Sequence, residues 1–317
     1  MTIDSININN FKSIRKLGIE KPGNFLVFVG ANASGKSNIF EALEFANSVY
    51  KLGNEAISLF GGNDEIRNFN LPMPFYFKFG NYDDFIDIEE KVDDHKRSIL
   101  LPLRNTSSYN QFTENFSRIF YGKSQYVKIN INDDSKLRLD CKNLEKVLGR
   151  LLSEREKKEE IIEILQTLIP EFNDIEIVKS EYSKEDRINV YEKNASKPFS
   201  GNLISDGTYN ILSLITAVLQ NDEPQFLCIE EPENGLNPKV VKELVIFFRE
   251  QCELNGHYIW LSTHSQSLVN VLSPKEIIIV DKKEGQTKIK QIDGLDLHGL
   301  KVDEAWLSNV FGGGIPW

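Results

Sequence analysis

The chain has 317 residues, of which 40% are hydrophobic and 26% are charged, which is ordinary for a globular protein with a well-buried core. A formal net charge of −10 argues against a broadly basic surface that coats nucleic acid, although it leaves room for a local basic groove. The three cysteines are widely spaced, which predicts neither a disulfide framework nor a zinc site. The N-terminus lacks a signal-peptide pattern, and no apolar run approaches the roughly 18 residues that cross a bilayer. These features predict a cytoplasmic protein without a membrane span.

The first part of the chain predicts strands, then a glycine-containing loop and a helix. IDSININNF alternates apolar and polar residues, KPG at 21–23 marks a turn, and FLVFVG at 25–30 is a short apolar run that ends in glycine. Apolar residues then recur at helical spacing over 37–53, where Gly53 is a candidate C-cap. The segment GANASGKS at 30–37 therefore joins a buried strand to a helix.

The middle of the chain is less regular. FYFKFG (75–80) and YVKINI (126–131) are typical of strands, and residues 175–193 are typical of a β-hairpin. Residues 142–170 form a charged block whose apolar residues repeat every three or four positions until Pro170 ends it. This block predicts a solvated pair of amphipathic helices, with an arm that binds a partner as the alternative.

From residue 200 onward, predicted strands and helices alternate. The patterns predict helices over 205–220 and 240–256, and strands over 225–233, 257–265 and 276–282. Such alternation favours a mostly parallel sheet covered by helices.

The loop at 30–37 matches the pattern G-x-x-x-x-G-K-[ST] in full. Its small residues let successive backbone N–H groups point into one concavity that suits phosphate oxygens, and the positive end of the following helix adds to it. Lys36 can bridge the β- and γ-phosphates, and the Ser37 hydroxyl can bind Mg²⁺; an accidental glycine turn is the alternative. The predicted nucleotide-binding residues of the loop are Gly30, Ala31, Asn32, Ala33, Ser34, Gly35, Lys36, Ser37 and Asn38.

Three further segments carry polar groups where such a sheet binds ligands. The strand FLCIE brings Glu230 and Glu231 to its carboxyl end, where one carboxylate can hold a metal ion and the next can activate water, unless both are solvated acids before a turn. His264 follows the next strand and can contact a γ-phosphate, with a structural histidine as the alternative. SDGT at 205–208 reads as a capped helix start, and a helix start is also an anion site.

Together and in this order, these motifs resemble those of the ABC-type ATPases, in the SMC/RecF/OLD-like branch of the AAA family. INNFKSIRKLGI followed by VGANASGKSNIFEAL is similar to the usual start of that branch. SDGT is similar to its signature motif, IEEPENGLNP to its Walker B motif and D-loop, STHS to its H-motif, and WLSNVFGGGIPW to a common ending. The likeness covers residues 1–60 and 200–317 well and the middle loosely.

The resemblance implies an α/β fold, namely an ABC-type P-loop NTPase head with a mostly parallel core sheet, an N-terminal antiparallel β lobe and a helical insertion. Residues 1–317 would form a single head. Within it, 1–60 and 200–317 would be the nucleotide-binding core, and 61–199 the insertion lobe with its strands and the helices of 142–170.

The resemblance also implies the cofactors ATP and Mg²⁺ and a role for each conspicuous acid. Glu230 would replace the usual aspartate and bind the metal ion together with Ser37. Glu231 would be the general base, and His264 would be catalytic beside it. The glutamine of the Q-loop is not assigned, and Gln111 and Gln125 are its candidates.

Heads of this branch sandwich ATP between two copies, so the resemblance implies a homodimer in which each P-loop site is completed by the other protomer. The D-loop, 234–236, would cross the interface, and Asn237 stands where a histidine is frequent. The residues that the other protomer contributes to the site would be Ser205, Asp206 and Gly207.

Two functions are compatible with such a head. The first is an ATP-binding and ATP-hydrolysing dimeric switch or motor that works with a separate effector, a nuclease or toxin, in prokaryotic anti-phage defence. OLD-like relatives often carry a TOPRIM nuclease domain, for which the chain after His264 is too short, and a long coiled coil is not seen either. The alternative is a RecF-like repair ATPase that clamps DNA on ATP-driven dimerisation, so contact with nucleic acid stays possible. A transporter subunit is weaker, because its signature would usually read LSGGQ.

Overall fold

The computed structural model describes residues 3–68, 73–81, 85–93, 96–100, 110–121, 135–179, 186–297 and 299–311. Within them the chain forms three sheets with helices packed on them. The strands are β1 (Ser5–Phe11), β2 (Ile14–Glu20), β3 (Phe25–Val29), β4 (Tyr76–Gly80), β5 (Phe85–Asp93), β6 (Lys96–Leu100), β7 (Phe116–Ile119), β8 (Phe172–Lys179), β9 (Asp186–Glu192), β10 (Phe199–Ser200), β11 (Phe226–Glu230), β12 (Tyr258–Thr263), β13 (Ile277–Lys283) and β14 (Gln286–Gln291). The helices are α1 (Lys36–Leu52), α2 (Glu55–Leu59), α3 (Asn63–Ile66), α4 (Asn110–Thr113), α5 (Leu144–Leu152), α6 (Arg155–Leu168), α7 (Asp206–Leu219), α8 (Pro238–Asn255), α9 (Gln266–Val269) and α10 (Val302–Leu307).

The central sheet has the strand order β14-β13-β3-β12-β11-β7, and its strands from β13 to β7 are parallel. Every residue of β3, β11 and β12 is buried, as expected for strands covered on both faces. Successive residues of β3 enter different cores: Val27 packs in the core that includes α7 and α8, and Phe28 packs in the core that includes α1. The predicted mostly parallel sheet is therefore confirmed.

The second sheet is antiparallel, with the order β2-β1-β4-β5-β6. It packs on α1, where the ring of Phe45 lies 5.6 Å from that of Phe11 and 5.1 Å from that of Phe75. The side chain of Gln291 in β14 hydrogen-bonds the backbone of Glu20 in β2 and so joins this sheet to the central one. This is the predicted N-terminal antiparallel lobe, although three of its five strands come from later in the chain.

Helices α5 and α6 pack beside the third sheet, which has the order β10-β9-β8. The charged block at 142–170 is a helix pair, as predicted, and each helix buries one stripe. Val147 and Leu148 of α5 and Ile161 and Leu165 of α6 form these stripes. Strands β8 and β9 are antiparallel and confirm the predicted hairpin.

Strands within residues 61–199 pair with strands of the predicted core. Strand β7 pairs in parallel with β11 of the central sheet, and β4 pairs with β1. These strands therefore belong to sheets that also contain strands from residues 1–60 and 200–317. The division at residues 60 and 200 stays a prediction.

The predicted strand at 126–131 lies outside the described residues. Among the residues that are described, no helix is long and apolar enough to span a membrane.

His257 makes the stability of the fold dependent on pH. It is buried, and its Nδ1 accepts a hydrogen bond from the Gln225 N–H at 3.3 Å. Burial, with a smaller effect of the positive charge on Lys157, lowers the pKa of His257 from 6.5 to about 4. Below about pH 6.5 the unfolded chain therefore binds a proton that the folded protein takes up only near pH 4, and the free energy of unfolding should fall by about 2 to 3 kcal/mol across this range.

Denaturant unfolding at pH 7 and pH 4.5 measures this effect. In His257→Gln, the amide oxygen can still accept the Gln225 N–H but does not titrate. The acid-induced loss of stability should therefore be smaller in the variant. An equal loss in variant and wild type would contradict the prediction.

Candidate functional site

Three neighbouring parallel strands end at one edge of the central sheet. β3 leads into the loop before α1, β11 ends at Glu230, and β12 ends at Thr263, next to His264. Open α/β sheets bind ligands at this carboxyl end. A cavity of about 480 Å³ lies there, lined by Asn32, Ala33, Ser34, Gly35, Lys36, Ser37, Asn38, Phe120, Glu230, Glu231, Asn234, His264 and Lys282. The fold thus brings most of the predicted loop, both strand-end acids and the histidine together.

The loop before α1 packs closely against other parts of the chain at two glycines. A Cβ on Gly30 would lie 2.2 Å from the Val280 carbonyl oxygen, and a Cβ on Gly35 would lie 1.9 Å from the Thr287 hydroxyl. Gly35 also has a φ of 104°, which other residues rarely adopt. Thr287 donates a hydrogen bond to the Ser34 carbonyl at 3.2 Å. The sheet therefore holds the loop at the start of α1, where first-turn N–H groups lack intrahelical acceptors and can bind phosphate.

The Lys36 side chain is folded back onto this loop. Its Nζ donates to the carbonyl oxygens of Gly30 and Ala31 at 2.8 and 3.1 Å, and it lies 3.9 Å from Glu231 Oε1. Burial lowers the pKa of Lys36, although the nearby carboxylates oppose this. The cavity therefore holds an ammonium group and a helix start, and this donor set fits the phosphates of the predicted nucleotide.

Ser37 and Glu230 lie side by side. The Ser37 hydroxyl donates a hydrogen bond to Glu230 Oε2. The other oxygen, Oε1, accepts from Arg118 of β7, whose Nε and Nη2 lie at 2.8 and 2.6 Å. Arg118 also donates from Nη1 to Glu44 of α1 at 2.8 Å. A hydroxyl and a carboxylate oxygen that both face the cavity are the ligands Mg²⁺ prefers, so these residues fit the predicted metal ion.

Arg118 and Glu44 are ionisable groups that sequence reasoning missed. Burial disfavours the charge on Arg118, but Glu230 and Glu44 outweigh it and raise the pKa of the guanidinium. Burial also raises the pKa of Glu44, against the opposing effect of Arg118. Arg118 carries no motif and lies 112 positions before Glu230 in the chain, so no local pattern could have indicated the contact.

Glu231, the predicted general base, occupies a strained turn directly after β11. Its φ is 50°, which is uncommon for a residue with a side chain, and its N–H donates to the Ser262 carbonyl at 2.9 Å. Glu231 Oε2 lies 2.5 Å from His264 Nδ1. His264 therefore contacts a carboxylate in this structure, and its role at a γ-phosphate stays a prediction.

Glu233 is a further acid that sequence reasoning did not single out. It is buried and accepts a hydrogen bond from the Thr263 hydroxyl. Carboxylate and imidazole atoms of Glu231, Glu233 and His264 lie within 4.8 Å of one another. Burial, and then the charge of Glu231, raise the pKa of Glu233 to about 8. Glu233 lies two residues after the predicted base in the segment EEPE, and this position is the sequence feature that could have indicated it.

The predicted partner-facing residues Ser205, Asp206 and Gly207 do not line this cavity. Ser205 caps α7 by accepting the Thr208 N–H at 3.1 Å, and both Ser205 and Asp206 are exposed. Gly207 packs on Gly235, whose carbonyl oxygen would lie 2.7 Å from an added Cβ. The structure thus places these residues at a surface of the protomer, and their contact with a second copy stays a prediction.

Two asparagines organise the turns around β11. Asn210 of α7 donates from Nδ2 to the carbonyl oxygens of Pro232 and Asn234, at 3.0 and 2.8 Å. Asn237, which stands where the resembling branch often has histidine, caps α8 by accepting the Val240 N–H at 3.1 Å. Asn237 therefore has a local structural role that accounts for its residue type.

The structure excludes one candidate for the Q-loop glutamine. Gln111 donates to the carbonyl of Gly256, just before β12, at 3.1 Å. That position is at the amino ends of the parallel strands, opposite the cavity. Gln125 lies outside the described residues.

A family model described as "AAA domain, putative AbiEii toxin, Type IV TA system" matches residues 25–270, a range that contains every motif of the site.

The fold is similar to that of SMC head domains. The head from Thermotoga maritima superposes with a TM-score of 0.53 and 13% identity, covering 92% of this chain and 100% of that one. An SMC head bound to the C-winged helix domain of ScpA gives 0.59 and 15%, covering 96% and 99%. An SMC head with an extended coiled coil, bound to the C-terminal domain of ScpA derived from Pyrococcus furiosus, gives 0.58 and 16%, covering 96% and 98%.

Sequence relatives match shorter stretches. An uncharacterized protein of Methanocaldococcus jannaschii is 36% identical over 100 residues, 31% of this chain and 29% of that one. The chromosome partition protein Smc of the same organism is 47% identical over 45 residues, 14% of this chain and 4% of that one. The DNA replication and repair protein RecF of Lactobacillus acidophilus is 38% identical over 45 residues, 14% and 12% of the two chains. The chain thus matches less than a third of the length of each relative, and the short RecF match does not favour the RecF-like alternative.

Proposed function

Because the chain belongs to the AAA-domain family described as putative AbiEii toxin, Type IV TA system, and is an ABC-type ATPase of the SMC/RecF type, we propose that it binds and hydrolyses ATP in the cavity at the ends of β3, β11 and β12. The observation that carries this proposal is that the P-loop, the Ser37–Glu230 pair and Glu231 face one cavity. Phosphate binding, metal binding and water activation would then take place side by side.

The proposed role of each cavity residue follows from its chemistry. Loop amides and Lys36 would hold the phosphates, with the ammonium group exchanging the carbonyls of Gly30 and Ala31 for phosphate oxygens. Ser37 and Glu230 would hold Mg²⁺, which supplies neutralising charge at the phosphates when bound. Glu231 would accept the proton of the attacking water, and His264, at 2.5 Å, would orient its carboxylate.

We also propose that two copies close around ATP. The cavity is formed by one protomer's loop and strand ends, and the exposed start of α7 is available for a second protomer. Ser205 and Gly207 would then place hydroxyl and amide donors on the far side of the nucleotide. ATP would in this way both hold the dimer together and limit its lifetime through hydrolysis.

The output of this switch would pass to a separate effector, a nuclease or toxin, in prokaryotic anti-phage defence. The family description names a toxin and a TA system, which supports this setting. Metal-dependent nuclease chemistry needs its own ligands, and the described ranges hold one cluster of candidate metal ligands, Glu231, Glu233 and His264, which belongs to the ATP site.

Direct measurement of nucleotide binding and turnover tests the proposal. Purified protein should bind a fluorescent ATP analogue, release phosphate from ATP only with a divalent cation, and show a larger mass with ATP than with ADP by size-exclusion chromatography with light scattering. Affinity purification from cells infected with phage should recover a nuclease or toxin. Absence of ATP binding would end the ATPase proposal, whereas binding and turnover without a recovered effector would end only the defence assignment.

Ser205→Arg tests the composite site. A long charged side chain at the exposed start of α7 should clash with the second protomer and prevent ATP-dependent dimerisation. The turnover number should fall at least about 100-fold, as for loss of a transition-state donor. ATP binding by the protomer's own P-loop should stay within about 3-fold, which a fluorescence titration measures.

Thr167→Arg on the exposed face of α6 is the matched control, because it introduces the same side chain on a helix that does not line the cavity. It should dimerise and hydrolyse ATP as the wild type does. Wild-type turnover by Ser205→Arg would argue that each protomer works alone.

A further inference from the structure

Arg118 is a buried arginine that none of the motifs explains. It pairs with Cys228 across the β7–β11 ladder. Cross-strand partners share a face of a sheet, and Glu230 is two residues after Cys228, so Arg118 and Glu230 lie on the same face. The Arg118 side chain is 9% exposed and that of Glu230 is 2% exposed. The guanidinium group is thus enclosed beside the predicted metal-binding carboxylate.

The contacts of Arg118 distinguish the two oxygens of Glu230. Nε and Nη2 both approach Oε1, at 2.8 and 2.6 Å, while Oε2 accepts the Ser37 hydroxyl. A glutamate has one more rotatable bond than the aspartate that it would replace. The planar, permanently charged fork of an arginine can hold such a side chain in one orientation.

Glu44 holds the arginine from the other side. It accepts from Arg118 Nη1 at 2.8 Å, and it lies on α1, the helix that starts at Lys36. One guanidinium group therefore connects the helix that begins at the phosphate-binding loop with the carboxylate that ends β11. A shift of either element would change the direction in which Glu230 Oε2 points.

We propose that Arg118 is a positioning residue for the metal ion: by binding Glu230 Oε1 it directs Oε2 toward Ser37 and the Mg²⁺ that this pair would hold. The proposal rests on the proposed function, which assigns Ser37 and Glu230 to the metal. Residues that orient metal ligands typically change metal affinity or activity by about 10- to 100-fold when they are replaced.

The test is a Mg²⁺ titration of ATP hydrolysis by Arg118→Gln. The Mg²⁺ concentration at half-maximal rate should rise about 10-fold or more. Binding of a fluorescent ATP analogue in EDTA should stay within about 2-fold, because Arg118 does not line the cavity. Loss of positive charge alone would strengthen Mg²⁺ binding, so an unchanged or lowered Mg²⁺ requirement would overturn the proposal.

Two further variants separate positioning from folding. Arg249→Gln removes another arginine–carboxylate pair, with Glu276 at 2.7 and 2.8 Å, on α8, and should leave the Mg²⁺ requirement unchanged. Arg118→Lys keeps the charge but cannot donate two bonds to Oε1 while contacting Glu44, so it should also need more Mg²⁺. If thermal melting shows that Arg118→Gln is unfolded, Arg118→Lys becomes the test variant. A wild-type Mg²⁺ requirement in Arg118→Lys would then refute the proposal.

Failure of the proposed function gives a different result. In that case the wild type itself would show no Mg²⁺-dependent turnover. A wild type that hydrolyses ATP together with folded Arg118 variants of unchanged Mg²⁺ requirement would remove the role of Arg118 alone.

Discussion

Replacement of Lys36 with alanine is expected to abolish detectable ATP binding. Lys36 is the buried ammonium group that contacts the P-loop from inside the cavity. Hydrogen bonds to charged groups contribute about 1.5 to 3 kcal/mol each, so the loss of two such bonds to phosphate predicts an affinity at least about 100-fold lower. Fluorescence titration with a labelled ATP analogue measures this, and phosphate release should fall to background.

Lys283→Ala is the matched control for this change. Its side chain is 68% exposed and lies 3.7 Å from Asp281 on β13. ATP affinity should be unchanged, because this lysine does not line the cavity. If Lys36→Ala bound ATP as tightly as Lys283→Ala, the loop would not be the phosphate site.

Glu231→Gln is expected to bind ATP normally but to stall hydrolysis. The amide keeps the size of the side chain yet cannot accept a proton from water, and general-base catalysis contributes about 10²- to 10⁴-fold. The variant should therefore accumulate as an ATP-bound dimer. Single-turnover phosphate release and light scattering with ATP measure the two halves of this prediction.

Two other glutamates make the experiment specific. Glu250→Gln on the exposed face of α8 should hydrolyse ATP at the wild-type rate. Glu233 is buried and accepts the Thr263 hydroxyl, and the amide oxygen in Glu233→Gln can accept the same hydrogen bond, so its effect should be much smaller than that of Glu231→Gln. Near wild-type turnover by Glu231→Gln, with a collapse in Glu233→Gln, would assign the base to Glu233.

Local sequence patterns predicted the parts of the site that are continuous in the chain. FLVFVG, GANASGKS and the strands before Glu230 and His264 combine apolar runs with turn residues, and these features directly determine strands and loops. Parallel strands with polar carboxyl ends also predict a shared ligand edge, so the grouping of these motifs followed from the fold class.

The parts that sequence did not predict depend on contacts between distant segments. Thr287 supports the phosphate-binding loop from β14, 253 positions after Ser34. The segment QTKIKQ has no apolar run, because β14 is an edge strand that exposes one side, and hydrophobic patterning therefore does not reveal it. The same holds for Arg118, since its charge in an edge strand argues against burial until Glu230 and Glu44 are placed beside it.

The packing of α7 on the turn after β11 has a consequence for communication between sites. Gly207 contacts Gly235, and Asn210 holds the carbonyl oxygens on both sides of Glu233. In a dimer, the start of α7 would respond to the nucleotide of the second protomer, whereas the turn after β11 carries the first protomer's own base. If two copies close around ATP as proposed, a displacement of one would move the other, so occupancy of one site would alter catalysis at the other.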